Sequence, residues 1–315
     1  MPDTRTTPRT QAARSPAVAP TPKRAFHTIE VIPSDAPIGA DIVGFDFAGA
    51  SDAMLAEMRQ AWLDHSVVRF RGTRVSDADQ VAFAARLGEF VKHPRQLRGE
   101  EGAHPEFEEI LVIANADDSG KPAGTMGNSE CRWHSDTYIV DRPPSGAILK
   151  AVRLPKAGGN TYFSDMYAVY DDLPAGLKRD LDGRMIQLDT VYDGAMRVRK
   201  GMTEPATRDI RLWPSIRHPI VRTHGETGRN AIYLAAETRS AWIVGLPLDE
   251  SAEIIAQLWE RVADPTYHWT QHWQTDDIVI WDNRCLKHRR DGWAADEVRI
   301  MHRTTIRGER PHFVC

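Results

Sequence analysis

From Glu109 onward the chain breaks into short runs of apolar or alternating residues, closed by Gly, Pro, Asn or Asp: EILVIAN, SGAILKAV, NTYF, MIQLDTVY, HPIVRTH, AIYLA, YHWTQHW, DIVIWD and RIMHRTTIRG. Such a series restricts the chain to a β-sandwich or barrel, because each short strand covers one face of a core and needs a second layer opposite it. One amphipathic helix interrupts the series. In DESAEIIAQLWERVADP, the residues Ile254, Ile255, Leu258, Trp259 and Val262 share a stripe, with Pro265 just beyond. Upstream, FHTIEVIPSDAPIGADIVGFDF reads as short strands joined by tight turns. DAMLAEMRQAWLDH then sets Met54, Met58 and Trp62, with Leu55 alongside, on a helical period before the strand SVVRFRG. A second helix is expected in SDADQVAFAARLG, where Ser76 and Asp79 form a capping box, Val81, Phe83, Ala84 and Leu87 are apolar, and Gly88 ends it. The two helices are expected to pack on one face of a sheet.

No repeat or linker divides the 315 residues, so a single domain over residues 27–315 is expected. The first 26 residues, rich in Pro, Thr, Ala and Arg, read as a disordered tail, with a transit peptide as the other reading of their Arg-rich, acid-poor composition. Hydrophobic and charged fractions of 41% and 27% are those of a soluble globular chain. No run approaches the roughly 20 apolar residues of a membrane span. A net charge of -4 offers no general attraction to polyanions, which argues against nucleic acid as a partner. The scattered Cys131, Cys285 and Cys315 make no disulfide framework, which fits a reducing cytoplasm; Cys131 and Cys285 read as packing residues.

In RWHSDTY, His134 and Asp136 lie two apart, so a strand would direct both to one face, with Trp133 and Ser135 on the other. That pair fits part of a metal site or a polar stretch of an ordinary strand. His288 lies in DDIVIWDNRCLKHRRDGW, after an apolar strand and a polar turn; it is a third ligand or a surface histidine of the basic turn KHRR. Two histidines and a carboxylate form the facial triad of non-haem Fe(II) oxygenases. In EVRIMHRTTIRG, Arg299, Met301 and Arg303 share a strand face. Two guanidinium groups aimed into one space require anions to receive them, unless the strand is a solvated edge. Trp133 and Trp281 read as core aromatics flanking the site; Tyr267, Trp269 and Trp273 read as the core face of their strand, with His268 and His272 exposed opposite them.

Taken together, Trp133-His134-Ser135-Asp136, GGNT at Gly158 to Thr161, WDNR at Trp281 to Arg284 and His288, followed eleven and fifteen residues later by Arg299 and Arg303, resemble the taurine/2,4-D dioxygenase family. The likeness runs from about Thr28 to Pro311 and includes PIGADIVGFDF, HSVVRFRG and AARLGEF. It implies a mainly β fold with flanking helices, a double-stranded β-helix or jelly roll. By position, His134, Asp136 and His288 match the Fe(II) ligands, and Thr161 and Arg299 match the pair that holds the distal carboxylate of 2-oxoglutarate. Arg303 matches a residue at the co-substrate end of the site that in several members also grips an anionic substrate.

The implied reaction converts 2-oxoglutarate and O2 to succinate and CO2 while hydroxylating a small anionic molecule. His93 aligns with a histidine that helps to bind sulfonate in taurine-type members, whereas Gln96 and Glu130 replace the tyrosine and asparagine found there. Glu130 could then meet a basic group on the substrate or stand exposed. The stretches HSDTY, FSDMYAVYDDLP, HGETGR and VIWDNRCLKHR are closer to aryloxyalkanoate-cleaving relatives. The resemblance thus points to an aryloxyalkanoate or alkyl sulfonate anchored by Arg303, with a biosynthetic tailoring hydroxylase acting on an amino acid or natural-product intermediate as the alternative. A homo-oligomer is common in such families.

Overall fold

Runs such as IVIWD, buried along their whole length, form the centre of the fold. A computed structural model of the protein describes residues 25–92, 102–117, 127–192, 198–237 and 240–315. The tail to residue 24, His93 and Gln96 therefore lie outside the described residues. The strands are β1 (Glu30–Pro33), β2 (Ala40–Val43), β3 (Val67–Phe70), β4 (Leu111–Ala114), β5 (Cys131–His134), β6 (Gly146–Arg153), β7 (Thr161–Asp165) and β8 (Met185–Asp189). They continue with β9 (Ser215–Pro219), β10 (Val221–Thr223), β11 (Asn230–Ile232), β12 (Ala241–Ile243), β13 (His268–Gln271), β14 (Ile278–Asp282), β15 (Leu286–Arg290) and β16 (Ile300–Ile306). The helices are α1 (Asp52–His65), α2 (Asp77–Leu87), α3 (Met166–Asp171), α4 (Ala175–Leu181) and α5 (Leu248–Val262).

A seven-stranded sheet in the order β1-β2-β3-β14-β6-β16-β4 faces a four-stranded sheet in the order β13-β7-β15-β5. This is the jelly roll that the resemblance implies. Alternation along the large sheet divides its side chains between two cores. Val67, Ala147, Leu149, Val279, Trp281 and Met301 meet Phe163, Trp269 and Leu286 of the small sheet. Val68, Phe70, Ile148, Ile278, Ile280 and Ile306 instead pack beneath α1 and α2, against Met58, Trp62, Phe83 and Ala84. The expected Ser76 cap is present, accepting from the Asp79 N–H at 3.1 Å, and α1 has a cap that was not anticipated, Ser51 accepting from the Met54 N–H at 3.2 Å. The Asp79 carboxylate takes the Ser76 hydroxyl rather than the backbone N–H of a reciprocal box. Along α5, Leu258 and Val262 are buried while Ile254, Ile255 and Trp259 are partly covered, as their spacing requires. No helix among the described residues is long and apolar enough to cross a membrane.

The structure corrects two sequence expectations. KHRR is not a turn but most of β15, the strand that pairs with both β5 and β7. Its cations are sheltered by rings and hydroxyls: Lys287 lies 4.8 Å over Tyr233 and donates to Ser135, and Arg289 lies 3.7 Å over Tyr162. His268 is half-buried rather than exposed, bonded to the Val262 carbonyl at 2.8 Å and packed on Trp133, whereas His272 is exposed.

The glycines of GGNT have a packing reason. Gly158 adopts φ +81°, and a Cβ there would lie 2.4 Å from the Gly292 carbonyl oxygen. Gly158→Ala is therefore expected to cost roughly 2–4 kcal/mol, since it adds left-handed strain to a backbone clash. Chemical denaturation checks this; an unchanged midpoint would show that the turn gives way freely.

Candidate active site

Two adjacent strands bring the distant histidines together. His288 on β15 stands directly opposite His134 at the end of β5, and Asp136 enters from the turn that follows. The β14–β15 connection is braced by the WDNR residues. Asp282 takes two bonds from the Arg284 guanidinium, at 2.8 and 2.6 Å, one from the Arg284 backbone N–H at 2.9 Å and one from His224 at 3.0 Å, while Asn283 accepts the Trp281 indole N–H at 2.9 Å. These charge-assisted bonds fix the turn that launches β15.

His134 Nε2 lies 4.0 Å from one Asp136 oxygen, and His288 Nε2 lies 3.9 Å from the other. One donor atom from each residue falls within 4.8 Å of the rest. His134 Nδ1 is 2.8 Å from the Arg132 carbonyl, so this nitrogen carries the proton and Nε2 is left as a donor for a cation. His288 Nδ1 is buried without a hydrogen-bond partner, and the ring is oriented by packing on Trp281 and Phe163 at 5.2 and 6.0 Å. Burial, with His134 alongside, pushes the His288 pKa well below the ordinary imidazole value and keeps the ring neutral. Burial opposes charge on His134 too, but Cys131 and Asp136 outweigh it and hold its pKa up at about 9. A cation entering this pocket displaces that proton. Two imidazole nitrogens and one carboxylate, grouped at one edge of the small sheet, fit Fe(II) and leave its remaining positions to other ligands.

Of the two arginines singled out, Arg303 on β16 reaches this centre, while Arg299 lies just before that strand. Arg303 donates from Nη1 to Asp136 at 2.9 Å. Arg299, four residues earlier, is only 2% exposed, and its guanidinium has no carboxylate partner among the described residues. Burial and the nearby Arg290 depress its pKa to about 9. Aromatic faces stand in for an anion: Trp273 lies 5.9 Å and Trp293 5.5 Å from its guanidinium carbon. The GGNT turn passes directly over it, a Cβ on Gly159 falling 3.0 Å from the Arg299 side chain. Thr161, at the end of that turn, is buried and accepts the Trp273 indole N–H at 3.1 Å.

Of the remaining residues singled out from the sequence, Glu130 is exposed, with Arg289 at 3.8 Å, and makes no described contact with the triad. Cys285 is buried packing, whereas the half-buried Cys131 places its sulfur 3.7 Å from His134 Nδ1, behind the ring rather than among the donors. A second grouping, Asp77 with His104 and His302, has metal-like spacing but opposing chemistry. The Lys150 ammonium pairs with Asp77, and His104 Nδ1 accepts two backbone N–H groups, so its proton sits on the nitrogen that faces Asp77. Sequence reasoning missed Arg290, which donates to the Gly127 and Ser129 carbonyls and ties the segment before β5 to β15. It also missed Trp293, 4.4 Å from the Arg290 guanidinium carbon, and read Trp273 only as core. Nothing in local spacing marks these three; their roles come from cross-strand neighbours.

The chain matches the family described as Taurine catabolism dioxygenase TauD, TfdA family over residues 30–305. It is 29% identical over 82% of its length to an alpha-ketoglutarate-dependent 2,4-dichlorophenoxyacetate dioxygenase of Burkholderia sp. (strain RASC), covering 88% of that protein. It is 31% identical over 90% of its length to an alpha-ketoglutarate-dependent sulfate ester dioxygenase of Pseudomonas putida, covering 91% of it. Among solved structures, a taurine dioxygenase from Burkholderia xenovorans superposes with a TM-score of 0.73 at 26% identity, covering 91% of this chain and 93% of that one.

Proposed function

The chain belongs to the taurine catabolism dioxygenase TauD, TfdA family, and from that premise we propose that His134, Asp136 and His288 hold the Fe(II) of a 2-oxoglutarate-dependent dioxygenase acting on a small anionic substrate. When bound, iron and 2-oxoglutarate supply the oxidising chemistry: one oxygen atom of O2 leaves in succinate, formed with CO2, and the other becomes a hydroxyl on a substrate carbon. The protein binds, orients and excludes water. Arg299 and Thr161, both buried, take the distal carboxylate of 2-oxoglutarate, because a guanidinium acting with a hydroxyl is a strong carboxylate clamp. Arg303, paired with Asp136 in the free protein, offers its remaining donors to a carboxylate, sulfonate or sulfate at the mouth. Trp281 and Phe163 wall the histidine side and keep water from the reacting carbon.

Aryloxyalkanoates, sulfate esters and alkyl sulfonates share an anionic head on an apolar body, which suits this arrangement. The observation that carries the reading is Arg299: a cation 2% exposed, with Nε unpartnered and no ion pair to a carboxylate among the described residues, although Asp291 acts on it from further off, can receive an anionic ligand. Three cysteines, none paired, fit a cytoplasmic enzyme, and residues 27–315 are read as one catalytic domain. The reading is tested by screening sulfonates, sulfates, aryloxy acids, amino acids and their neutral amides or esters, with succinate production as the readout. An anionic group is expected to stimulate succinate and its neutral analogue not to. Equal stimulation by charged and neutral members of a pair would contradict the anionic assignment.

A further inference from the structure

We infer that Trp273 is a positioning residue for the co-substrate clamp, its indole N–H orienting the Thr161 hydroxyl and its ring face supporting Arg299. The inference rests on the assignment of Thr161 and Arg299 as the carboxylate-binding pair. Trp273 lies just past β13, whose last residue, Gln271, stands opposite Thr161 across the pairing with β7. The side chain is half-buried, and its N–H is 3.1 Å from Thr161 Oγ1.

An indole N–H can only donate, so the Thr161 oxygen must accept, and the hydroxyl hydrogen is left for another partner. Among the described residues that hydrogen has no acceptor. The hydroxyl is thereby held as a donor at the end of the turn that packs on the Arg299 side chain through Gly159. A donor next to a cation recognises an anion and disfavours a neutral carbonyl or an ammonium group. Without the indole, the hydroxyl can rotate, and a carboxylate would meet its oxygen as readily as its hydrogen.

The ring contributes separately. Arg299 lies between Trp273 and Trp293, at 5.9 and 5.5 Å, and Trp293 is shared with Arg290 at 4.4 Å. Trp273 contacts no other cation among the described residues. It is thus the ring committed to Arg299, holding the guanidinium in place before an anion arrives.

The test is 2-oxoglutarate binding to the anaerobic Fe(II)-loaded protein, followed by visible absorbance, in wild type, Trp273→Phe, Thr161→Val and the double variant. A parallel titration uses 2-oxobutyrate, which lacks the distal carboxylate. Trp273→Phe keeps a ring but removes the N–H, and it is expected to weaken 2-oxoglutarate binding about 5- to 10-fold. Thr161→Val is expected to do the same or more, and the double variant to be no weaker than Thr161→Val, because the N–H acts through that hydroxyl. Affinity for 2-oxobutyrate should stay level throughout. Because the readout compares two ligands on one sample, partial unfolding cancels. Wild-type affinity in Trp273→Phe, additive losses in the double variant, or an equal loss for 2-oxobutyrate would each overturn the role of Trp273. Wild-type affinity in Thr161→Val would instead overturn the clamp assignment itself.

Discussion

Arg299→Gln is expected to raise the 2-oxoglutarate concentration for half-maximal turnover about 100-fold, while leaving the free protein at least as stable as the wild type. The two effects share one cause. The guanidinium is 2% exposed and lies near two indoles without an ion-paired carboxylate among the described residues; burial and Arg290 act against its charge and outweigh the favourable field of Asp291. An uncompensated buried charge costs stability, so a neutral amide in its place relieves the free protein. The same replacement removes the forked, charge-assisted bonds available to a carboxylate, worth about 3 kcal/mol, and that converts to about two orders of magnitude in affinity. Steady-state kinetics against 2-oxoglutarate and denaturant midpoints check the pair. A loss of several kcal/mol in stability with unchanged co-substrate dependence would make Arg299 a structural cation instead.

Asp136→Ala is expected to lower turnover at least about 1,000-fold, because the triad loses its only carboxylate and two imidazoles alone make a poor Fe(II) site. A second consequence separates ligand loss from general damage. Arg303 donates to Asp136 at 2.9 Å and is itself buried, so the variant leaves it unpaired and should be about 1–3 kcal/mol less stable in the absence of metal. Added Fe(II) should stabilise the wild type against heat and not the variant. Turnover within tenfold of wild type would exclude Asp136 as a ligand.

Much of this architecture is legible in the chain itself. The helix read from Met54, Met58 and Trp62 spans Asp52–His65, and DIVIWD is a fully buried strand, because periodicity reports which faces are covered. His134 and Asp136 do fall in one cluster and Arg299 and Arg303 are both buried, but not by strand alternation: Asp136 lies in the turn after β5, and Arg299 precedes β16, which is irregular between Ile300 and Met301. What failed was local reading of residues whose neighbours lie far away in sequence. KHRR is polar enough to read as a turn, yet Tyr162, Tyr233 and Ser135 make its cations tolerable in a central strand. Trp273 looked like core because an aromatic at an alternating position usually is; only its contacts with Thr161 and Arg299 give the N–H and the ring face separate purposes. The glycines of GGNT were visible as a motif, but their reason is the approach of the Gly292 carbonyl and the Arg299 side chain.

The central claim is that His134, Asp136 and His288 hold iron beside a bound 2-oxo acid, and one spectrum tests it directly. Under anaerobic conditions, adding Fe(II) and then 2-oxoglutarate to the wild type should produce a weak visible charge-transfer band that neither gives alone, and His134→Ala should lose it. A wild type without the band, or a His134→Ala variant that keeps it undiminished, would contradict the assignment.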